Sequence, residues 1–255
     1  MNNTIIYYFT GTGNSLSIAK KIAENINAEL IGIPNALKNP RPIPKDAAVG
    51  IIYPLYAGGL PNIVVRFLQS TSLSNAGYVF FVATEGGKMG APTAQATRLS
   101  KAAGHTLDAS WWIQMPDNYI PLSAPPQTPE QKKMYDAARK KADVIIEAVK
   151  NREKHIEGMG FAGKLFGFVY GPFIKKLPES DKKFTISANC SECGICAEVC
   201  PADNIIVGKH GNHEWHHKCE GCLACLTSAP KKQSTSERKP NFAHVTDTRL
   251  YQSLT

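Results

Sequence analysis

Cysteine is missing from the first 189 residues of this 255-residue chain, and all seven cysteines then fall between positions 190 and 225. An odd number of thiols packed so tightly does not make a disulfide framework; it points to reduced thiolates that bind a metal. Long apolar runs are missing too. The N-terminus reads Asn2-Asn3-Thr4 and then offers only Ile5 to Phe9, too short for the core of a signal peptide. The glycine- and aromatic-rich stretch Gly158 to Ile174 is interrupted by Lys164, Gly167 and Pro172. Neither reads as a membrane-spanning helix of about 20 residues, so a cytoplasmic protein without a transmembrane segment is expected. No basic stripe interleaved with aromatics is present. The formal net charge of +8 shrinks once metal-bound thiolates are counted, so no nucleic-acid partner is expected. A run such as Arg139-Lys140-Lys141 reads as a solvated helix face.

What is present in the cysteine region is a repeated spacing. Cys190, Cys193, Cys196 and Cys200 are followed by Pro201; Cys219, Cys222 and Cys225 are followed by Ala229-Pro230. A C-x2-C-x2-C turn wraps one iron-sulfur cluster, and the cysteine four positions on, stiffened by the next proline, ligates the other cluster. Crossed in this way, Cys200 with Cys219, Cys222 and Cys225 completes one 4Fe-4S site. Cys190, Cys193 and Cys196 lack a fourth thiolate because Ala229 stands in its place. That site is expected to hold a 3Fe-4S cluster, or a 4Fe-4S cluster with a non-cysteine fourth ligand, or nothing stable. Zinc also binds paired C-x-x-C arms, but as separated pairs rather than overlapping triplets with a trailing Cys-Pro. The stretch has few large apolar residues, so the clusters are expected to supply much of its stability. His210, His213, His216 and His217, between the two runs, read as a solvated loop.

The cysteine-free part alternates between two periodicities. Ile5 to Phe9 is a continuous apolar, β-prone run, followed by a helical pattern that aligns Leu16, Ile18, Ala19, Ile22, Ala23 and Ile26. Strands are expected again at 28–33, 48–53, 78–83 and 106–113, with helices at 62–69, 91–103 and 129–150. Five buried strands interleaved with helices predict an α/β fold built on an open parallel five-stranded sheet.

Ligands of open α/β sheets sit beyond the carboxyl ends of the strands. The first such loop, Thr10-Gly11-Thr12-Gly13-Asn14-Ser15, lacks the lysine of a nucleotide-triphosphate loop. It also lacks the third glycine of a dinucleotide fingerprint, since position 16 is leucine. Its short hydroxyl and amide side chains suit a phosphate monoester at a helix N-terminus, although a turn of this composition can also serve only as a helix cap.

At these residues the chain resembles the flavodoxin family, whose loop of this type binds the FMN phosphate. The resemblance runs over residues 1–150. It implies that Pro54, Leu55, Tyr56, Ala57, Gly58 and Gly59 form a first loop against the isoalloxazine, and that Thr84, Glu85, Gly86 and Gly87 form a second. The whole chain is similar to a bacterial and archaeal family in which a flavodoxin-like domain is fused to a two-cluster, α+β bacterial ferredoxin module. Met115 to Pro121 and Asn189 to Pro201 also match segments of that family. The implied organisation is an FMN domain at 1–150, a linker or docking segment at 151–183, an iron-sulfur domain at 184–231 and a tail at 232–255. The implied function is electron transfer coupling one- and two-electron steps, with a redox partner protein or a small electron donor or acceptor. The alternatives are a flavin reductase acting on a small molecule or quinone, and a redox or iron sensor with a labile cluster. No catalytic acid, base or nucleophile stands out.

Overall fold

A computed structural model describes residues 3–87, 92–119, 128–157, 170–186, 190–209, 212–229 and 234–236. Expected features at Lys88–Ala91, Ile120–Pro121, residues 158–169, Asn189, His210, Pro230 and the tail apart from Ser234–Ser236 lie outside the described residues. The chain divides into two compact units, residues 1–118 with 124–174, and residues 119–123 with 175–255.

The first unit contains β1 (Thr4–Tyr8), α1 (Asn14–Ile26), β2 (Glu29–Gly32), α2 (Ile33–Lys38), β3 (Ala47–Pro54), α3 (Asn62–Ser70), β4 (Ala76–Glu85), α4 (Pro92–Ala102), β5 (Ala109–Gln114), α5 (Thr128–Lys150), β6 (His155–Ile156) and all but the last two residues of α6 (residues 170–176). The strands form one sheet in the order β2-β1-β3-β4-β5-β6, and every pairing is parallel. The first five follow the 2-1-3-4-5 order of flavodoxin-like sheets. The sheet therefore has six strands, not the five expected. β6 escaped the sequence because it is two exposed residues with no apolar pattern, held by register against Ala109 and Ser110. α2 also went unread: Ile33 continues the apolar pattern of β2, but Pro34 fits the first turn of a helix and starts one there.

Why the strands read as unbroken apolar runs is plain from their burial. Every residue from Ala47 to Tyr53 of central β3 is buried, as both faces of a parallel sheet must be covered. On one face, Ile6, Ile52, Phe80, Val82, Trp111 and Ile113 pack with Ile18 and Ile22 of α1 and with Ala142, Ile145 and Val149 of α5. On the other, the Tyr7 ring meets Phe67 of α3 with centroids 4.7 Å apart. This packing fixes the strand ends from which the loops project.

The second unit is built as a repeat. After a 3₁₀ helix, Leu177–Lys183, come β7 (Phe184–Ile186), α7 (Ile195–Glu198), β8 (Ile205–Ile206), β9 (Glu214–Trp215), α8 (Ala224–Thr227) and β10 (Ser234–Ser236). β7 pairs antiparallel with β10, and β8 with β9. A shift of 29 positions (190 to 219) carries the first cysteine run onto the second and α7 onto α8. The backbone repeats as well: Glu192 and Gly194 have φ of 55° and 79°, and their counterparts Gly221 and Leu223 have 64° and 60°.

Candidate cofactor sites

Strand order in the first unit reverses at β1, which lies between β2 and β3. The carboxyl ends of β1 and β3 therefore open the crevice in which such sheets hold ligands. Four loops meet there, and main-chain hydrogen bonds fix their heights. Leu55 N donates to Thr84 O at 2.8 Å, and Met115 N donates to Glu85 O at 2.8 Å.

The first loop is held from several sides. Gly13 enters α1 with φ of 102°, a conformation that suits glycine, and no side chain caps the helix. The first-turn amides and the dipole of such a helix end favour an anion. Thr10 Oγ1 accepts from Gly13 N at 3.0 Å, bending the loop back on itself. Asn14 Nδ2 donates to Pro116 O at 3.1 Å, and Asn118 Nδ2 donates to Thr12 Oγ1. Ser15 differs. Its side chain is fully buried and shares a 2.7 Å hydrogen bond with Thr84 Oγ1, so it ties the loop to β4 rather than lining the crevice.

The second loop closes as a tight hairpin. Tyr56 and Gly59 exchange both main-chain hydrogen bonds at 2.9 Å, and the two residues between them, Ala57 and Gly58, have φ of 45° and 88°. Positive φ at both central positions is the signature of a type I′ turn. α6 and α4 pin this turn from behind: Tyr170 Oη donates to Leu60 O at 2.6 Å, Gln95 Nε2 donates to Tyr170 Oη at 2.9 Å, and Gln95 Oε1 accepts from Leu60 N at 2.9 Å. The Tyr170 ring occupies the space where a side chain at Gly59 would go. Phe9 meets the Tyr56 ring edge-on at 6.4 Å.

In the third loop Gly86 lies directly against Asp117, so close that a methyl group there would strike the aspartate. Burial pushes the Glu85 carboxyl up to about 7; Lys141 opposes the shift and Glu157 adds to it. Lys141 itself pairs with Glu157 at 2.6 Å and lies 4.1 Å from the Trp112 ring centre, so it does more than solvate a helix face.

The structure thus brings together the residues singled out at 10–15, 54–59 and 84–87. It adds a fourth loop, Pro116, Asp117 and Asn118, which the sequence reading left out of the site. The signal was available, because this segment also leaves the carboxyl end of a strand. Tyr170 and Gln95 carried no such signal.

In the second unit Cys200, Cys219, Cys222 and Cys225 line one pocket with Pro201, Ile205, Trp215 and Leu223. Amides turn toward sulfur in both runs: Glu192 N to Cys190 Sγ at 3.4 Å, Gly221 N to Cys219 Sγ at 3.3 Å, and Asn204 N to Cys200 Sγ at 3.3 Å. Burial raises the thiols of Cys219, Cys222 and Cys225, the last to about 12, and neighbouring cysteines add to the rise. A metal would reverse this by displacing the protons. Among the described residues, no three His, Cys, Asp or Glu side chains are grouped to hold a metal ion.

A polar network supports this pocket. Asp181, with no exposed side-chain surface, accepts from Asn204 Nδ2 at 2.8 Å and bonds His217 Nδ1 at 2.8 Å. Asn204 Oδ1 in turn accepts from Lys218 N at 2.6 Å, and Cys219 N donates to Pro178 O at 3.2 Å. Of the clustered histidines, His217 is therefore anchored rather than merely solvated.

No family model matches this chain. No curated protein matches it either. Solved structures do. The two-electron reduced flavodoxin of Megasphaera elsdenii is 19% identical over 54% of this chain and 98% of its own, with a TM-score of 0.33. The Trp repressor binding protein of Bacillus subtilis is 15% identical over 53% and 93%, with a TM-score of 0.34. A flavodoxin from the domain Archaea is 16% identical over 58% and 99%, with a TM-score of 0.32. The fold of the first unit rests on its strand order. Among the described residues, no helix is long and apolar enough to cross a membrane.

Proposed function

We propose that the chain is an electron-transfer protein that binds FMN in its first unit and iron-sulfur clusters in its second. The observation that carries this reading is the lining of one pocket by Cys200, Cys219, Cys222 and Cys225, the four-thiol set that crossed ligation requires. Overlapping C-x2-C-x2-C triplets with a trailing Cys-Pro suit a cluster better than a zinc ion, which takes separated pairs. The amides turned toward sulfur would stabilise thiolate charge.

The flavin half is supported by four loops that meet at the switch point of a 2-1-3-4-5 sheet, where FMN sits in flavodoxin-like folds. The uncapped start of α1, with Thr10, Thr12 and Asn14, would hold the phosphate. The Tyr56–Gly59 turn and the Thr84–Gly87 loop would flank the ring system, with amides brought close by glycine. Bound FMN exchanges one or two electrons and a cluster one, so the two together couple paired and single-electron chemistry. The chain's own part is to orient the groups and exclude water. The implied partner is a redox protein or a small electron donor or acceptor.

The test is anaerobic purification with FMN, iron and acid-labile sulfide measured on the same sample. Bound FMN together with iron and sulfide is expected. A chain that retains neither after reconstitution, or that retains zinc in their place, overturns the reading.

A further inference from the structure

The four thiols that line the pocket of the second unit come from both copies of the repeat. Cys219, Cys222 and Cys225 belong to the second run, and Cys200 ends the first. The shift that relates the copies carries Cys200 onto Ala229, so the second run has no trailing thiol of its own. The pocket therefore depends on Cys200 being held at the second run from across the repeat. The ladder between them does little to hold it. β8 and β9 pair over two residues each, and a two-stranded hairpin is marginal by itself.

One buried residue spans the gap. Asn204 is 1% exposed, and both its main-chain and both its side-chain polar groups are engaged. Its N donates to Cys200 Sγ at 3.3 Å, which holds the thiol of the first run. Its O accepts from His216 N at 3.0 Å, and its Oδ1 accepts from Lys218 N at 2.6 Å, which holds the segment that enters the second run at Cys219. Its Nδ2 donates to Asp181 Oδ2 at 2.8 Å, on the 3₁₀ helix whose Pro178 O accepts from Cys219 N at 3.2 Å. The side chain must therefore offer an acceptor to a main-chain amide on one side and a donor to a carboxylate on the other. Alanine would leave both partners unmet. Aspartate would set a second carboxylate against Asp181, which is fully buried.

From this junction we infer that Asn204 is the positioning residue of the four-thiol site: it fixes Cys200 against the second run, so that the site takes its fourth sulfur from across the repeat. The Asp181 carboxylate acts through Asn204 in this, by orienting the amide so that Oδ1 faces Lys218 N. The inference concerns the placement of the thiols and holds whichever metal group they bind.

The experiment is anaerobic alkylation of the full-length chain, as purified, with iodoacetamide, the labelling rate of each cysteine being read by mass spectrometry. In Asn204→Asp, Cys200 and Cys219 are expected to label about tenfold faster or more, while exposed Cys193 keeps its wild-type rate. Combining Asn204→Asp with Asp181→Asn makes the amide and the carboxylate change places. The donor and acceptor then match again, Lys218 N and His217 Nδ1 both keep a side-chain oxygen, and the two rates should return to those of the wild type. The inference is overturned if Asn204→Asp labels as the wild type does, if the double variant stays fast, or if Cys193 speeds up with the other two, which would mark a general loosening of the unit. Where Asn204→Asp does not fold, the double variant decides: wild-type rates support the inference and fast labelling refutes it. A chain purified with zinc, or with no metal, would refute the iron-sulfur reading and leave this test standing.

Discussion

Gly59→Ala tests whether the Tyr56–Gly59 turn is held from behind by Tyr170. Gly59 does not have a positive φ, so alanine meets no backbone penalty there; the obstacle is steric alone. The new methyl would occupy the space of the Tyr170 ring and come within 2.7 Å of Gln95 Oε1, which accepts from Leu60 N. Overpacking of this kind costs about 1–3 kcal/mol. Displacing Tyr170 also puts at risk its hydrogen bonds to Leu60 O and from Gln95 Nε2, each worth about 0.5–1.5 kcal/mol. A loss of roughly 2–4 kcal/mol is expected, confined to the first unit. Urea unfolding followed by tryptophan fluorescence reads it directly, since Trp111 and Trp112 both lie on β5. The partner variant Tyr170→Ala removes the ring, so Gly59→Ala should cost far less in its background, with a coupling of about 1–3 kcal/mol. FMN affinity should fall in the single variant and recover in part in the double. If Gly59→Ala is as stable as the wild type, or the two substitutions add without coupling, Tyr170 does not pin the turn.

Three further outcomes are expected. Asn118→Ala removes the amide that holds Thr12 in the first loop; it should weaken FMN by about 1 kcal/mol, roughly fivefold in Kd, and leave riboflavin binding unchanged, and an equal loss for both would assign Asn118 to the ring system instead. Glu85 is held at about 7 against 4.5 when unfolded, so the folded chain keeps a proton that the unfolded chain has lost, and stability falls as pH rises through that window; Glu85→Gln should flatten this slope in urea midpoints measured between pH 4.5 and 7. Asp181→Ala leaves Asn204 Nδ2 and His217 Nδ1 without their buried acceptor; at a cost of about 3 kcal/mol, iron release from the reconstituted protein to a chelator should speed up on the order of a hundredfold, and an unchanged rate would make the network incidental to the pocket.

Legibility in the sequence followed the length of the pattern. Strands β1, β3, β4 and β5 are runs of several apolar residues buried on both faces, and burial of that kind leaves a continuous signal. His155 and Ile156 are too few and too exposed to leave one; their place is set by the neighbouring edge strand. The first-loop hydroxyls were legible as a group, but not their division of labour. Nothing local marks Ser15 as the buried one, because its partner Thr84 lies 69 positions away. The same holds for Asp181, which reads as one charge among the lysines of a linker and gains its role only when Asn204 and His217 fold against it. The cysteine spacing was legible as a repeat, and the backbone around the two runs repeats with it.

The pairing of β7 with β10 has an architectural consequence. Thr185 stands opposite Thr235, so the polypeptide enters and leaves the repeat at neighbouring points. A module whose ends meet is a cassette: it can sit as an insertion within another chain at little conformational cost, because its own ladder already closes the loop. By the same reasoning the seam is a clasp, and cutting the chain between Cys225 and Ser234 would free one strand of the ladder while leaving every cysteine in place.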